Sequence, residues 1–310
     1  MSKESNGNEG NSKSEDRSER PASSESEPPI WPWVLPLAAY MLLLTFFPSG
    51  KSSSYASAPT RDGFRAVAWA RQDEAPRPVG SEADKNTKPG MSTKDDASGA
   101  RSSQTDPRAS KGYALATLVR FLVVAAVLAF CFPHYLRQFP LRIGYWWLPV
   151  GVVGVVLWIA LCHLNLEAKL LVLLGFREDA LGSREAFNPF DSFQTAFMLY
   201  AFLTLRFGIL SVLVPLAEEI FLRGFLVRYI HRPDWWRANF GKLKWAALGV
   251  APVYGVLTHP SEALAAMAWF SLVTWLMVHT KNLWECVLAH AVTNLLLGIY
   301  VIAFSQWQLW

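Results

Sequence analysis

The chain has 310 residues, 52% of them hydrophobic with 14 Trp, and only 17% charged. Most of that charge precedes residue 112, and a net charge of +4 dispersed among acids forms no basic stripe, which excludes a nucleic-acid partner. Cys131, Cys162 and Cys286 are odd in number, lack CxxC spacing and lie in or beside apolar runs, so they read as small buried hydrophobes.

Residues 1–29 are rich in Ser, Glu, Asn and Gly, with seven acidic and four basic side chains, and read as a disordered tail. The apolar stretch 30–48 follows without a basic region immediately before it and ends at Pro48 rather than a small-residue cleavage signature. It is expected to be a retained first span. Residues 49–112 return to Ser, Asp, Lys, Arg and Pro and read as a long, disordered polar loop, with a weak apolar patch at Phe64, Val67 and Trp69.

From residue 113 to 310 the apolar runs are long and nearly free of charge, as in a chain whose solvent is lipid. Tyr113 to Phe132 predicts a second span, in which Arg120 must snorkel or pair. Tyr145 to Cys162 predicts a third, opened by the interfacial pair Trp146 and Trp147. Leu166 to Asp191 is mixed in polarity, and Asn188-Pro189 marks a turn. Phe193 to Tyr229 is long enough for two helices, with Pro215 as the expected break. Lys244 to Thr258, Glu262 to His279 behind a Ser261 cap, and Leu283 to Phe304 with Asn282 and Glu285 as a capping pair complete the chain. The expected fold is all-α, a polytopic transmembrane bundle of about eight helices. Five Lys or Arg between Arg228 and Lys244 favour a cytoplasmic position for that segment.

Between Ser192 and Val227 the only charged side chains are Arg206, Glu218, Glu219 and Arg223. Each charge at the bilayer centre costs roughly 2.5 to 3.5 kcal/mol on insertion scales, so this group needs an offset. On a helix Glu219 and Arg223 are i and i+4 and can pair, while Glu218 lies about 100° away and is left for a partner elsewhere. Two later segments offer one: His259 ends VYGVLTHP, and His290 shares a face with Asn294 in LAHAVTN. Such a set can polarise a water molecule for hydrolysis. It can also ligate zinc through Glu218, His259 and His290. The bland readings are a structural Glu219–Arg223 staple, interhelical hydrogen bonding by His290 and Asn294, and a helix-end role for His259. His134, His163, His231 and His279 lie at segment ends, where interfacial solvation accounts for them. The motifs HExxH, GxSxG and GxxxxGK[ST] are absent, which removes zincin, serine-hydrolase and P-loop chemistry.

EEIFLR at 218–223, His259, and HAVTN at 290–294 resemble the EExxxR, FxxxH and HxxxN signature of the CAAX protease and bacteriocin-processing (CPBP) family of intramembrane endopeptidases. NPF at 188–190, VPLAEEIFLRGFLVR at 214–228, CVLAHAVTNLLLGIY and the terminal WQLW are similar to bacterial CAAX prenyl protease-related proteins found with exosortase sorting systems. The resemblance covers residues 113–310 and departs at one position, where Gly255 stands for the family's Phe and Tyr254 precedes it. It implies a multi-pass protein of a bacterial plasma membrane with its site inside the bundle. By motif position Glu218 and His259 would activate the attacking water, Glu219 and Arg223 would position the site, and His290 and Asn294 would stabilise the oxyanion. It implies no cofactor, a membrane-associated protein or peptide as substrate, membrane lipids around the chain, and an exosortase-type system as a partner. The rival expectations are a zinc-dependent intramembrane protease, a non-catalytic membrane partner or immunity-type protein, and transport along a polar intramembrane path.

Overall fold

A computed structural model describes residues 27–46, 107–177, 180 and 186–309. The expected tail, up to residue 26, and the expected polar loop from residue 49 to 106 lie outside the described residues. Among the described residues the chain is helical without strands.

Helix α1 (Trp31–Phe46) carries the predicted first apolar stretch, yet it is shorter than the ~20 residues a span needs. Its Trp33 and Leu37 are buried, and Trp33 meets Tyr135, Phe139 and Trp235 edge-on. Burying those aromatic surfaces, and a hydrogen bond from the Tyr135 hydroxyl to the Pro32 carbonyl, fix α1 against the bundle. Helix α2 (Pro107–Gln138) begins ahead of the predicted Tyr113, with Pro107 as its first residue. Pro suits that position because its missing N–H would be unpaired there anyway. Arg120 is buried within α2 and partnered.

Helix α3 (Trp147–Leu164) lies against the last helix, and the approach is close because of what is missing. A Cβ on Gly151 would come within 2.8 Å of Val292, and the Thr293 hydroxyl donates to the Gly151 carbonyl at 3.0 Å. Small residues allow helix backbones to meet in this way inside a membrane. A short helix α4 (Leu166–Leu173) and a single turn α5 (Pro189–Ser192) follow, the latter capped by Asn188 Oδ1 accepting from the Phe190 amide at 3.0 Å.

Helix α6 (Ala196–His231) contradicts the expected break at Pro215. The helix runs through the proline because Ile209–Leu213 is π-helical, so the Val214 amide bonds Ile209 rather than Leu210. The wider turn absorbs the ring that would otherwise clash with the preceding turn. A second π segment, Ile220–Leu226, follows directly after the two glutamates.

Helix α7 (Trp245–Thr258) leads through a 3₁₀ turn, Pro260–Glu262, into α8 (Ala263–Thr280). Glu262 rather than Ser261 occupies the cap position of α8, and the Ser261 hydroxyl donates to the Glu262 carboxylate. Helix α9 (Leu283–Phe304) is capped by Asn282, which accepts from the Trp284 amide at 3.1 Å. Glu285 does not close the expected capping pair; it accepts from the Trp146 amide at 3.0 Å and so ties α9 to the start of α3. The all-α helical bundle is as expected: among the described residues five helical stretches are long and apolar enough to cross a membrane, and α1 and α7 are shorter apolar helices beside them.

Candidate active site

The two halves of α6 meet at Val214–Glu219, where Glu218 and Glu219 are both buried. Glu219 and Arg223 form the expected ion pair with both side chains at 0% exposure. The guanidinium also donates to the Phe270 carbonyl of α8 at 3.1 Å and lies 5.7 Å from the centre of the Phe270 ring. The pair is therefore an interhelical clamp as well as a local staple. Its charges are offset by hydrogen bonds from three helices, as a buried pair requires.

The sequence reading gave Glu219 to Arg223 alone and Glu218 to a partner elsewhere. The structure joins both acids to one imidazole. His290 Nδ1 is 3.0 Å from Glu219, and its Nε2 is 3.7 Å from Glu218. The Trp269 ring packs edge-on against His290 at 4.4 Å, and the Trp269 indole donates to Thr293 at 3.3 Å, which fixes the ring plane.

Asn294 stands one turn after His290, as the spacing predicts, and donates from Nδ2 to the Leu210 carbonyl at 2.8 Å. That acceptor exists because of the backbone of α6. In a regular α-helix the Leu210 carbonyl would take the Val214 amide, which is committed to Ile209. In a π-helix it would take the amide of residue 215, a proline without an N–H. Asn294 thus satisfies a carbonyl that the π turn and Pro215 leave over, and its side chain also lines the cavity.

His259 caps α7, with Nδ1 2.9 Å from the Thr258 hydroxyl and 3.3 Å from the Gly255 carbonyl. The aromatic missing at Gly255 is supplied by a neighbour: a Cβ there would lie 2.3 Å from the Phe270 ring, and that ring stands 6.2 Å from the imidazole of His259. Trp158 of α3 closes the other side, edge-on at 5.6 Å. Tyr254, which sequence reasoning noticed without a role, interacts with Glu218 through its buried hydroxyl, outside regular hydrogen-bond geometry.

Glu218, His259, His290 and Asn294 line one cavity of about 310 Å³, whose remaining walls include Tyr40 and Met41 of α1. No spacing or motif marks Tyr40, Trp158 or Phe270, since each reaches the site only by packing between helices. Among the described residues no group of three His, Cys, Asp or Glu side chains has the spacing to hold a metal ion. The polar residues face a single mostly apolar chamber, an arrangement suited to holding one water molecule against a bond to be hydrolysed.

Residues 199–296, which include all six predicted site residues, match a family model described as Type II CAAX prenyl endopeptidase Rce1-like. No curated protein and no solved structure matches the chain.

Proposed function

We propose, from the match of residues 199–296 to the Rce1-like CAAX endopeptidase model, a glutamate-dependent mechanism in which Glu218 is the general base. The chain is an integral, multi-pass membrane protein of the intramembrane endopeptidase class. The observation carrying the finer reading is the convergence of Glu218, His259, His290 and Asn294 on one apolar cavity.

In this mechanism a water molecule lies between Glu218 and His259. Glu218 accepts its proton as the oxygen attacks the carbonyl carbon of a peptide bond. His290, held through Nδ1 by Glu219, presents Nε2 to the cavity and, as the imidazolium, donates to the developing oxyanion together with the second Nδ2 hydrogen of Asn294. The proton is then delivered to the departing amine and the C–N bond breaks. Arg223 touches no reacting atom; it positions Glu219, and through it His290. The substrate is a membrane-associated protein or peptide, because the chamber lies within the bundle and most of its walls are apolar.

Glu218→Gln keeps shape and removes the base. It should lower turnover by about 10² to 10⁴, the usual contribution of general acid–base catalysis. The measurement is a comparison of membrane-protein terminal peptides in cells carrying the intact chain or Glu218→Gln at equal abundance. Identical sets of termini would defeat the peptidase reading and favour a non-catalytic partner.

A further inference from the structure

Three residues with hydroxyls line the cavity: Tyr40, Thr258 and Thr293. Both threonines have committed their hydrogens to backbone, Thr258 to the Tyr254 carbonyl at 2.9 Å and Thr293 to the carbonyls of Gly151 at 3.0 Å and Ala289 at 2.9 Å. Tyr40 differs from them. Among the described residues no side chain hydrogen-bonds its hydroxyl, and the charges of Arg120, Arg206 and Glu218 act on it through space.

Neither guanidinium lines the cavity. Arg120 of α2 is buried and partnered. Arg206 of α6 donates to the Tyr113 hydroxyl at 2.6 Å, and the Tyr113 ring is held by Phe187 at 4.9 Å and Phe202 at 5.2 Å. Both cations thus have their own anchors and act on the cavity from behind Tyr40. Cations beside a phenol draw its oxygen lone pairs toward themselves and turn its hydrogen away, and Glu218 in the same cavity draws that hydrogen in the same sense. Tyr40 is therefore a donor to whatever fills the cavity, and the acceptor that a positive surrounding favours is an anion.

The helices also set where that anion lies. On α1 the residues Leu37, Tyr40, Met41 and Leu44 share one face, and that face is cavity wall. On α6 the lining steps by four residues from Glu218 to Val214 and Leu210, and the next such step is Arg206. Glu218 and Arg206 are separated by about 18 Å of helix rise. An extended chain advances about 3.3 to 3.6 Å per residue, so roughly five residues cover that distance. The separation keeps a bound anion clear of the glutamate that acts as base.

We propose that Tyr40 is the donor of a carboxylate subsite. It bonds a carboxylate of the bound polypeptide, a free C-terminus or an Asp or Glu side chain, about five residues or fewer from the cleaved bond, with Arg206 and Arg120 offsetting the buried charge. The position relative to a cleaved bond rests on the peptidase reading; the preference for a carboxylate does not. Tyr40 and Arg120 lie outside the residues that match the family model, so the subsite is supplied by α1 and α2.

The test is binding at pH 7 to the full chain carrying Glu218→Gln, in which the base that would consume a peptide is gone. Three probes are titrated: acetyl-pentaleucine with a free carboxylate, the same peptide as its amide, and acetyl-Leu-Leu-Glu-Leu-Leu-amide. Occupancy is read as a rise in the unfolding midpoint, followed by maleimide reaction of the buried Cys131 and Cys286. At least one of the two acids should half-saturate at a concentration ten-fold or more below that of the pentaleucine amide, and which acid does so identifies the source of the carboxylate. Adding Tyr40→Phe should abolish that preference and leave the ligand-free midpoint in place. Equal titration of acids and amide, no response to any probe, or a preference that survives Tyr40→Phe overturns the subsite. Termini that depend on Glu218 are mapped in cells alongside; their absence defeats the peptidase reading, while the binding result still decides the carboxylate preference.

Discussion

Replacing Arg223 by Met separates the clamp from the chemistry. The substitution leaves the Glu219 carboxylate at 0% exposure with His290 as its remaining partner. Breaking one member of a buried pair costs about 3 to 5 kcal/mol, because the other charge is stranded. For a helical bundle of this size each kcal/mol lowers the unfolding midpoint by about 2 to 4 °C, so a fall of roughly 6 to 20 °C is expected. The buried thiols of Cys131 and Cys286 supply the assay, since they react with a fluorogenic maleimide only when the bundle opens on heating. The double variant Glu219→Leu with Arg223→Met removes both charges and should recover more than half of that loss, as buried pairs replaced by apolar side chains often do. Cleavage should nevertheless stay at the level of Glu218→Gln, because His290 has lost the carboxylate that holds its Nδ1. An unchanged midpoint in Arg223→Met, or cleavage restored in the double variant, would refute this division of roles.

Four further outcomes follow from the geometry. Asn294→Ala should lower turnover by about 10² to 10³, the usual effect of removing one oxyanion donor; Pro215→Ala, which gives α6 back an amide for the Leu210 carbonyl, should lower turnover without touching a site side chain, and full activity would disprove the link between the π turn and Asn294. Tyr254→Phe removes a buried hydroxyl that faces Glu218 without a regular hydrogen bond, so the midpoint should hold within about 1 kcal/mol while turnover falls; a normal rate would make Tyr254 a packing residue. Purified protein stripped by chelator should keep its Glu218-dependent cleavage, and activity lost on stripping and restored by zinc would revive the metal reading.

The pairings within single helices were legible in the sequence. Glu219 with Arg223, and His290 with Asn294, follow from the i and i+4 rule, and the Asn282 cap follows from local chemistry. What could not be read was anything set by the approach of separate helices. His290 bridges both glutamates, Phe270 fills the place left by Gly255, and Tyr40 of α1 joins a chamber whose chemistry is built more than a hundred residues later. Pro215 misled for a different reason. The rule that proline ends a helix presumes the regular hydrogen-bond ladder, and α6 abandons that ladder just before the proline.

The π turn at Ile209–Leu213 also gives α6 a register of its own. Such a turn is in effect one surplus residue within a helix, and each residue of a regular helix accounts for about 100° of rotation. Removing a single residue there would let the ladder close into a regular helix and turn Ala196–Gly208 by that angle against the half that carries the glutamates. Point substitutions on the lipid-facing side of this segment change one side chain at a time. A one-residue deletion would rotate an entire half-helix out of phase, so chains that fold this site should vary in composition across 209–213 and hold its length constant.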